Sequence, residues 1–270
     1  MLSTVIMVVV SGAIYQLLIT TQRLSGVQAE RLGLQATVRG AALVVVNELK
    51  ELGAVPGGSP AQNDIVSIAP SAISYRAARG VGYACQAVSG SQIRIGRNLF
   101  SGHRDPQAGR DSAWVYVAGT PTGADSGWIP LGISNVSIAA ACLGGAGPAI
   151  TLTTSNVGSS GVLGAGTPVR IYELMELALY QSEGTSWLGM RSVSAGEAIQ
   201  PLFGPLADGD GFRLAYADAA GLPTNVTTAV RSIAVTIRAA SQNSSSTSRL
   251  DRYPLAEELT AQVMLRNAFR

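Results

Sequence analysis

The first charge in the chain is Arg23: positions 1–22 hold no Asp, Glu, Lys or Arg, and fourteen of the first twenty are apolar or aromatic. Val5, Ile6, Met7, Val8, Val9 and Val10 are contiguous, so a helix here has no polar face and belongs in lipid or deep in a core. Twenty helical residues rise about 30 Å, the thickness of a bilayer's hydrocarbon layer. A cleaved secretory signal, a buried core helix and a membrane anchor are the three readings of such a stretch. A cleaved signal has a basic region ahead of a shorter apolar run and a small-residue cleavage site. No basic residue precedes this run, and apolar sequence continues past Ser11-Gly12-Ala13. The pattern predicts a membrane-spanning segment over 1–22.

The next thirty residues contain no proline before the stop signals at Gly53, Pro56 and Gly57-Gly58. Leu24, Val27, Leu34, Val38, Ala41, Val45 and Leu52 recur at three-four spacing, one helical stripe. Gly26, Ala29, Gly33, Ala36 and Gly40 form a second stripe of small residues. Small residues admit another helix at close range. The alternative is that these glycines merely weaken the helix, by roughly 1 kcal/mol each against alanine. One helix over 1–53 is predicted, lipid-embedded in its first half and amphipathic in its second, about 78 Å long at 1.5 Å per residue.

Beyond 53 the period shortens. Runs rich in Val, Ile, Thr and Tyr, broken by Gly, Ser and Pro, place strands at 65–68, 72–76, 92–96, 113–118, 136–140, 149–153, 169–180, 187–192, 211–217, 229–239 and 259–265. Ser182-Glu183-Gly184-Thr185 between two runs marks a hairpin, and 241–248 is a serine-rich loop. Residues 54–270 read as one antiparallel β-rich head resting on the lower half of the helix. The fold class is α+β.

Charged residues are only 13% of the chain, with a formal net charge of +2, which gives no electrostatic footprint for nucleic acid. Lys50 is the single lysine and His103 the single histidine. A phosphate-binding Gly-Lys-Ser/Thr loop and a multi-histidine metal site are thereby excluded, and a Ser-His-Asp triad would have to run through one loop histidine. Asp208-Gly209-Asp210-Gly211 has the alternate oxygens of a calcium loop, but Ala219 stands at its twelfth position, and Asp-Gly is a common turn pair. Trp114, Trp128 and Trp187 are expected in the core. No catalytic residue, cofactor or metal is expected. Cys85 and Cys142 are the only cysteines; a head outside the cytoplasm permits a disulfide between them, the alternative being two buried thiols.

The apolar start through Gly12, Tyr15 and Leu18, followed by Gln22-Arg23, Gln28-Ala29-Glu30-Arg31, Val38-Arg39 and Asn47-Glu48-Leu49, resembles the helix of the type IV pilin superfamily. In the head, Val169-Arg170-Ile171-Tyr172-Glu173, Ala178-Leu179-Tyr180, Leu188-Gly189-Met190-Arg191, Phe212 to Asp218, Val230 to Ile233 and Val263-Met264-Leu265-Arg266-Asn267 are similar to segments of its large minor pilins. The likeness covers 1–52 and, loosely, 168–267. It is nearest to the W-type (PilW-like) minor pilins and the J-type pseudopilins of type II secretion. The resemblance implies a non-enzymatic structural subunit for a type IV pilus or secretion pseudopilus, held in the cytoplasmic membrane by its helix with the head in the periplasm or outside the cell. Implied partners are other pilin or pseudopilin subunits, the inner-membrane assembly platform and membrane lipid. Family members carry a basic leader and Phe-Thr-Leu-x-Glu ahead of the apolar run, so the expectation is an in-frame Gly-Phe-Thr-Leu-x-Glu upstream of Met1. The alternative is a singly anchored extracytoplasmic β-domain that binds a ligand or surface.

Overall fold

A computed structural model describes residues 2–53, 63–87, 90–117, 127–138, 141–142, 147–155, 163–241 and 255–266. Among the described residues, one unbroken helix, α1 (Leu2–Lys50), precedes thirteen strands. They are β1 (Ile65–Ala69), β2 (Ala72–Tyr83), β3 (Gln92–Gly96), β4 (Ser101–Gly102), β5 (Asp111–Val117), β6 (Gly127–Ser137), β7 (Ala149–Thr154), β8 (Pro168–Ser182), β9 (Thr185–Ser192), β10 (Gln200–Leu206), β11 (Phe212–Ala217), β12 (Ser232–Ala240) and β13 (Ala256–Met264). Every ladder between them is antiparallel. The α+β class is observed.

The fifteen-residue β8 organises the head. Along one side it pairs with β2, from Ala72↔Ala178 to Tyr83↔Pro168. Along the other it pairs first with β5, through Val169 to Glu173, and then with β9, through Met175 to Ser182. The β8–β9 hairpin turns at Glu183 (φ 52°) and Gly184 (φ 74°). Two consecutive positive φ values give the turn whose twist matches its strands, and the second suits glycine. Two cores form at the two ends of β8. Val169 and Ile171 belong to one with Ile93, Ile95, Val115, Leu131, Ile150 and Leu152. Met175 and Leu177 belong to the other with Tyr75, Phe212, Ile233, Val235, Ile237 and the helix.

The helix enters that second core through Leu34, Val38, Ala41, Ala42, Val45 and Leu49, all buried. In β12 the alternation is equally clear: Ile233, Val235 and Ile237 face this core while Ala234, Thr236 and Arg238 face out. One stripe of the helix's second half thus lines the head's interior, while Arg39, Leu43, Asn47 and Lys50 face out. Burying six apolar side chains removes them from water along one three-four stripe, the main term holding helix to sheet. Leu52, expected on the helix, lies just past its end and is still buried.

Candidate functional site: a half-docked helix

The first half of α1 leaves the head. Ile14, Leu17, Leu18 and Leu24 are each more than half exposed, and of the residues from Val10 to Ala29 all but Ile19 are exposed. An exposed apolar surface of this kind marks contact with something other than water. Among the described residues, no helix is long and apolar enough to cross a membrane. Met1 and the side chains at 2–5, 8 and 9, which carry much of the expected span, lie outside the described residues.

The stripe of small residues divides. Gly26, Ala29, Gly33 and Ala36 are exposed, and a Cβ added at Gly26 or Gly33 would meet nothing within 4 Å. Gly40 departs from the expected packing stripe. A Cβ there would lie 2.9 Å from Phe203 Cε1, so its open side is filled by the head rather than left for another helix.

Polar contacts fasten the docked half at both ends. Arg31 Nε donates to Glu257 Oε1 at 2.7 Å, and Ser241 Oγ bonds Glu30 Oε1. Farther along, the buried Tyr75 Oη donates at 3.1 Å to Oε2 of the half-buried Glu48, at the edge of the core. Burial first, then the Glu48 charge, push the Tyr75 phenol well above its ordinary value, so it stays a donor. Where the helix ends, Gly53 N–H donates to Asp64 Oδ2 at 2.6 Å and Arg266 N–H donates to Leu52 O at 2.9 Å. Burial raises Asp64 above the usual carboxylate range, opposed by that Gly53 bond and by Arg266.

At the waist of β8, between the two cores, lies Glu173, 1% exposed. Arg79 Nε reaches it at 2.6 Å, Arg104 Nη2 at 3.2 Å, and Arg110 bonds its other oxygen. Arg104 also grips Asp111 with two bonds, at 2.6 and 2.7 Å, and Arg110 reaches Glu197 at 2.7 Å. Burial alone would raise Glu173, but bonds from Ser192 and Arg79 and the charges of Arg79 and Arg110 hold it at about 2. Such a carboxylate has no proton to give at neutral pH and no free oxygen for a substrate, so the cluster joins elements instead of performing acid–base chemistry. Residues 63 to 94 positions apart in sequence meet here, and no local pattern announces them.

The other residues singled out in the sequence are separated. His103 sits in a cleft with Arg79, Arg170 and Arg266, and Asp105 is paired with Arg97, so no triad forms. Asp208 accepts from Ser186 Oγ at 2.6 Å, Asp210 pairs with Arg238 at 2.7 Å, and Gly209 has φ 76°, a turn. Among the described residues, no group of three or more His, Cys, Asp or Glu is placed to hold a metal. Cys85 and Cys142 form a disulfide with Cα atoms 5.8 Å apart. Trp114 is buried against Tyr172, but Trp128 and Trp187 are only half-buried: Trp128 lies under Arg170, and Trp187 lies over Gly204. On the outer face of β11 and β12, an apolar groove of about 400 Å³ has Ala215, Ala217 and Ala234 in its lining, with Pro70 and Pro223 beside them.

No family model, no curated protein and no solved structure matches this chain.

Proposed function

We propose that this chain is a minor pilin or pseudopilin, a non-enzymatic subunit whose helix is stored in the cytoplasmic membrane and later packs with other pilin-type helices in a filament. One observation carries the reading: a single 49-residue helix with its second half in the head's core and its first half projecting, apolar side chains outward. Lipid and neighbouring helices are the two surroundings that keep such a surface from water, and a filament subunit uses both in turn. Gly26, Ala29, Gly33 and Ala36 offer the close-approach face of the assembled state. The run without charge over 1–22 supplies the membrane segment, and the disulfide suits an oxidising compartment. Assembly-platform proteins of the inner membrane are the partners before assembly. Co-purification from detergent extracts tests this: other proteins with pilin-type helices should accompany the full chain and be lost when Gly33 is changed to Leu. Recovery of the chain alone, in cells making such a filament, would refute it.

A second reading, a singly anchored β-domain that binds a ligand or surface, rests on the groove over Ala215, Ala217 and Ala234. Apolar lining with a few polar groups at the rim, here Thr224, Asn225 and Gln262, is the usual make-up of a small-molecule site. Filament incorporation unaffected by Ala215→Trp, together with loss of surface attachment, would favour it.

A further inference from the structure

β13 ends its sheet. All nine of its residues are in register with β12, from Ala240↔Ala256 to Ser232↔Met264. Just outside the strand, Ser241 N–H donates to Leu255 O at 2.8 Å and Leu265 N–H donates to Arg231 O at 3.0 Å. Those two bonds fix the phase of the ladder. Backbone groups of odd-numbered residues turn toward β12, and those of even-numbered residues turn away. Ala256, Glu258, Thr260, Gln262 and Met264 therefore hold out a row of N–H and C=O groups, and all five residues are exposed. Among the described residues no strand lies beyond them.

The same edge already accepts a neighbour at its end. Arg266, next in the even series, donates its N–H outward to Leu52 O, and Gly53 bridges Arg266 in the parallel sense. Proteins usually guard a free edge with Pro, Lys or a bulge. β13 has no Pro or Lys, and its register with β12 is unbroken. Its charges are Glu257, which is turned to the helix and held by Arg31, and Glu258, which is exposed and has no ion pair among the described residues. Thr260, Gln262 and Met264 complete the row without charge.

We propose that the β13 edge binds an extended segment of another protein by strand addition, with a Lys or Arg of that segment beside Glu258. The backbone row selects the occupant. Donors and acceptors recurring about every 6.8 Å are matched only by another extended chain. A helix satisfies its own backbone, and a lipid offers no such repeat. A second copy fits poorly. Antiparallel pairing about Thr260 would point the two helices, each running beside its own β13 from Arg31 at Glu257 to Leu52 at Arg266, in opposite directions. Copies anchored in one membrane cannot adopt that arrangement. The exclusion of a second copy rests on the membrane anchor of the proposed function; strand addition itself does not require that the chain enter a filament.

The test uses the full chain in detergent micelles and a nine-residue peptide alternating Thr and Val with one Lys. Amide exchange is read residue by residue. Without peptide, the amides of Glu258, Thr260 and Gln262 should exchange at least about tenfold faster than those of Leu259 and Ala261. With millimolar peptide, Thr260 and Gln262 should slow to match them. Thr260→Pro deletes an outward N–H together with the hydroxyl contact to Thr236, which Thr260→Val loses as well, at a position where an edge strand tolerates proline; it should abolish peptide binding while the chain stays folded. Thr260→Val, which keeps that N–H, should bind, and Glu258→Lys should weaken binding of this peptide. Slow even-numbered amides in the free chain, no protection by the peptide, or equal binding by Thr260→Pro would each overturn the proposal. Protection that rises with chain concentration alone would replace the partner strand by a second copy.

Discussion

The ring of Phe203 occupies the space a side chain on Gly40 would need, with Cε1 2.9 Å from where its Cβ would sit. Helix and β10 can approach this closely because position 40 has no side chain. Gly33, two turns earlier, has nothing within 4 Å of the same point. Two glycines of one stripe therefore do different things. Gly40→Leu should destabilise the chain by about 1–3 kcal/mol through overpacking. Gly33→Leu should not lower its unfolding midpoint, and can raise stability by up to about 1 kcal/mol of helix propensity; on the proposed function it should block filament incorporation. Denaturant melts of the two variants, with filament fractionation, check both halves.

The docked and projecting halves of α1 should respond differently to truncation. Leu49→Ala removes a fully buried side chain from the shared core and should cost about 2–5 kcal/mol. Leu17→Ala, at an exposed position, should change the stability of the head by less than about 0.5 kcal/mol. Thermal unfolding followed by near-ultraviolet circular dichroism distinguishes them.

Glu173 makes the fold sensitive to acid. Its folded value, about 2, lies below the ordinary 4.5, so its ionised form is favoured in the native state. The stability it contributes is fully present above about pH 4.5 and is lost as the pH falls toward about 2. Glu173→Gln should reduce the pH dependence across that window. At neutral pH it should cost about 3–5 kcal/mol, because three arginines lose their common counter-ion. Urea melts between pH 2 and 7 measure both effects.

Replacing Cys85 and Cys142 together by Ser should lower stability by about 4 kcal/mol, the chain-entropy value for a loop closed across 57 positions. The double variant melting with wild-type chain under reducing conditions, and below it under oxidising conditions, is the expected result.

Much of the architecture was legible because it rests on periodicity. The strand expected at 92–96 is β3 residue for residue, and the 182–185 hairpin is the β8–β9 turn. β10 went unread: Pro201, Gly204 and Pro205 erase the alternation, and its ladder with β9 shifts register around Phe203. That strand supplies the ring over Gly40, so the fate of the small-residue stripe was hidden with it. β6 begins at Gly127, well before the expected 136–140, because Pro130 and Gly132 interrupt its front half in sequence while pairing with β5 carries the strand through them. Two cysteines leave one possible pairing, but whether they pair or stay as buried thiols is not written in their count; the structure brings their Cα atoms to 5.8 Å. The arginine cage around Glu173 depended on three separate stretches converging on one strand, which spacing along a chain does not encode.

The helix has no proline and no break between Leu2 and Lys50, so it behaves as one stiff rod of about 73 Å. Its docked half lies alongside β13, with Arg31 at Glu257 and Leu52 at Arg266. A load applied at the projecting end therefore acts along the seam, and the buried side chains and terminal clasps share it at once. Peeling would break the same contacts one after another, at a much lower force. Tension between the two ends of this molecule would be carried in shear, the stronger of the two ways to load a glued joint.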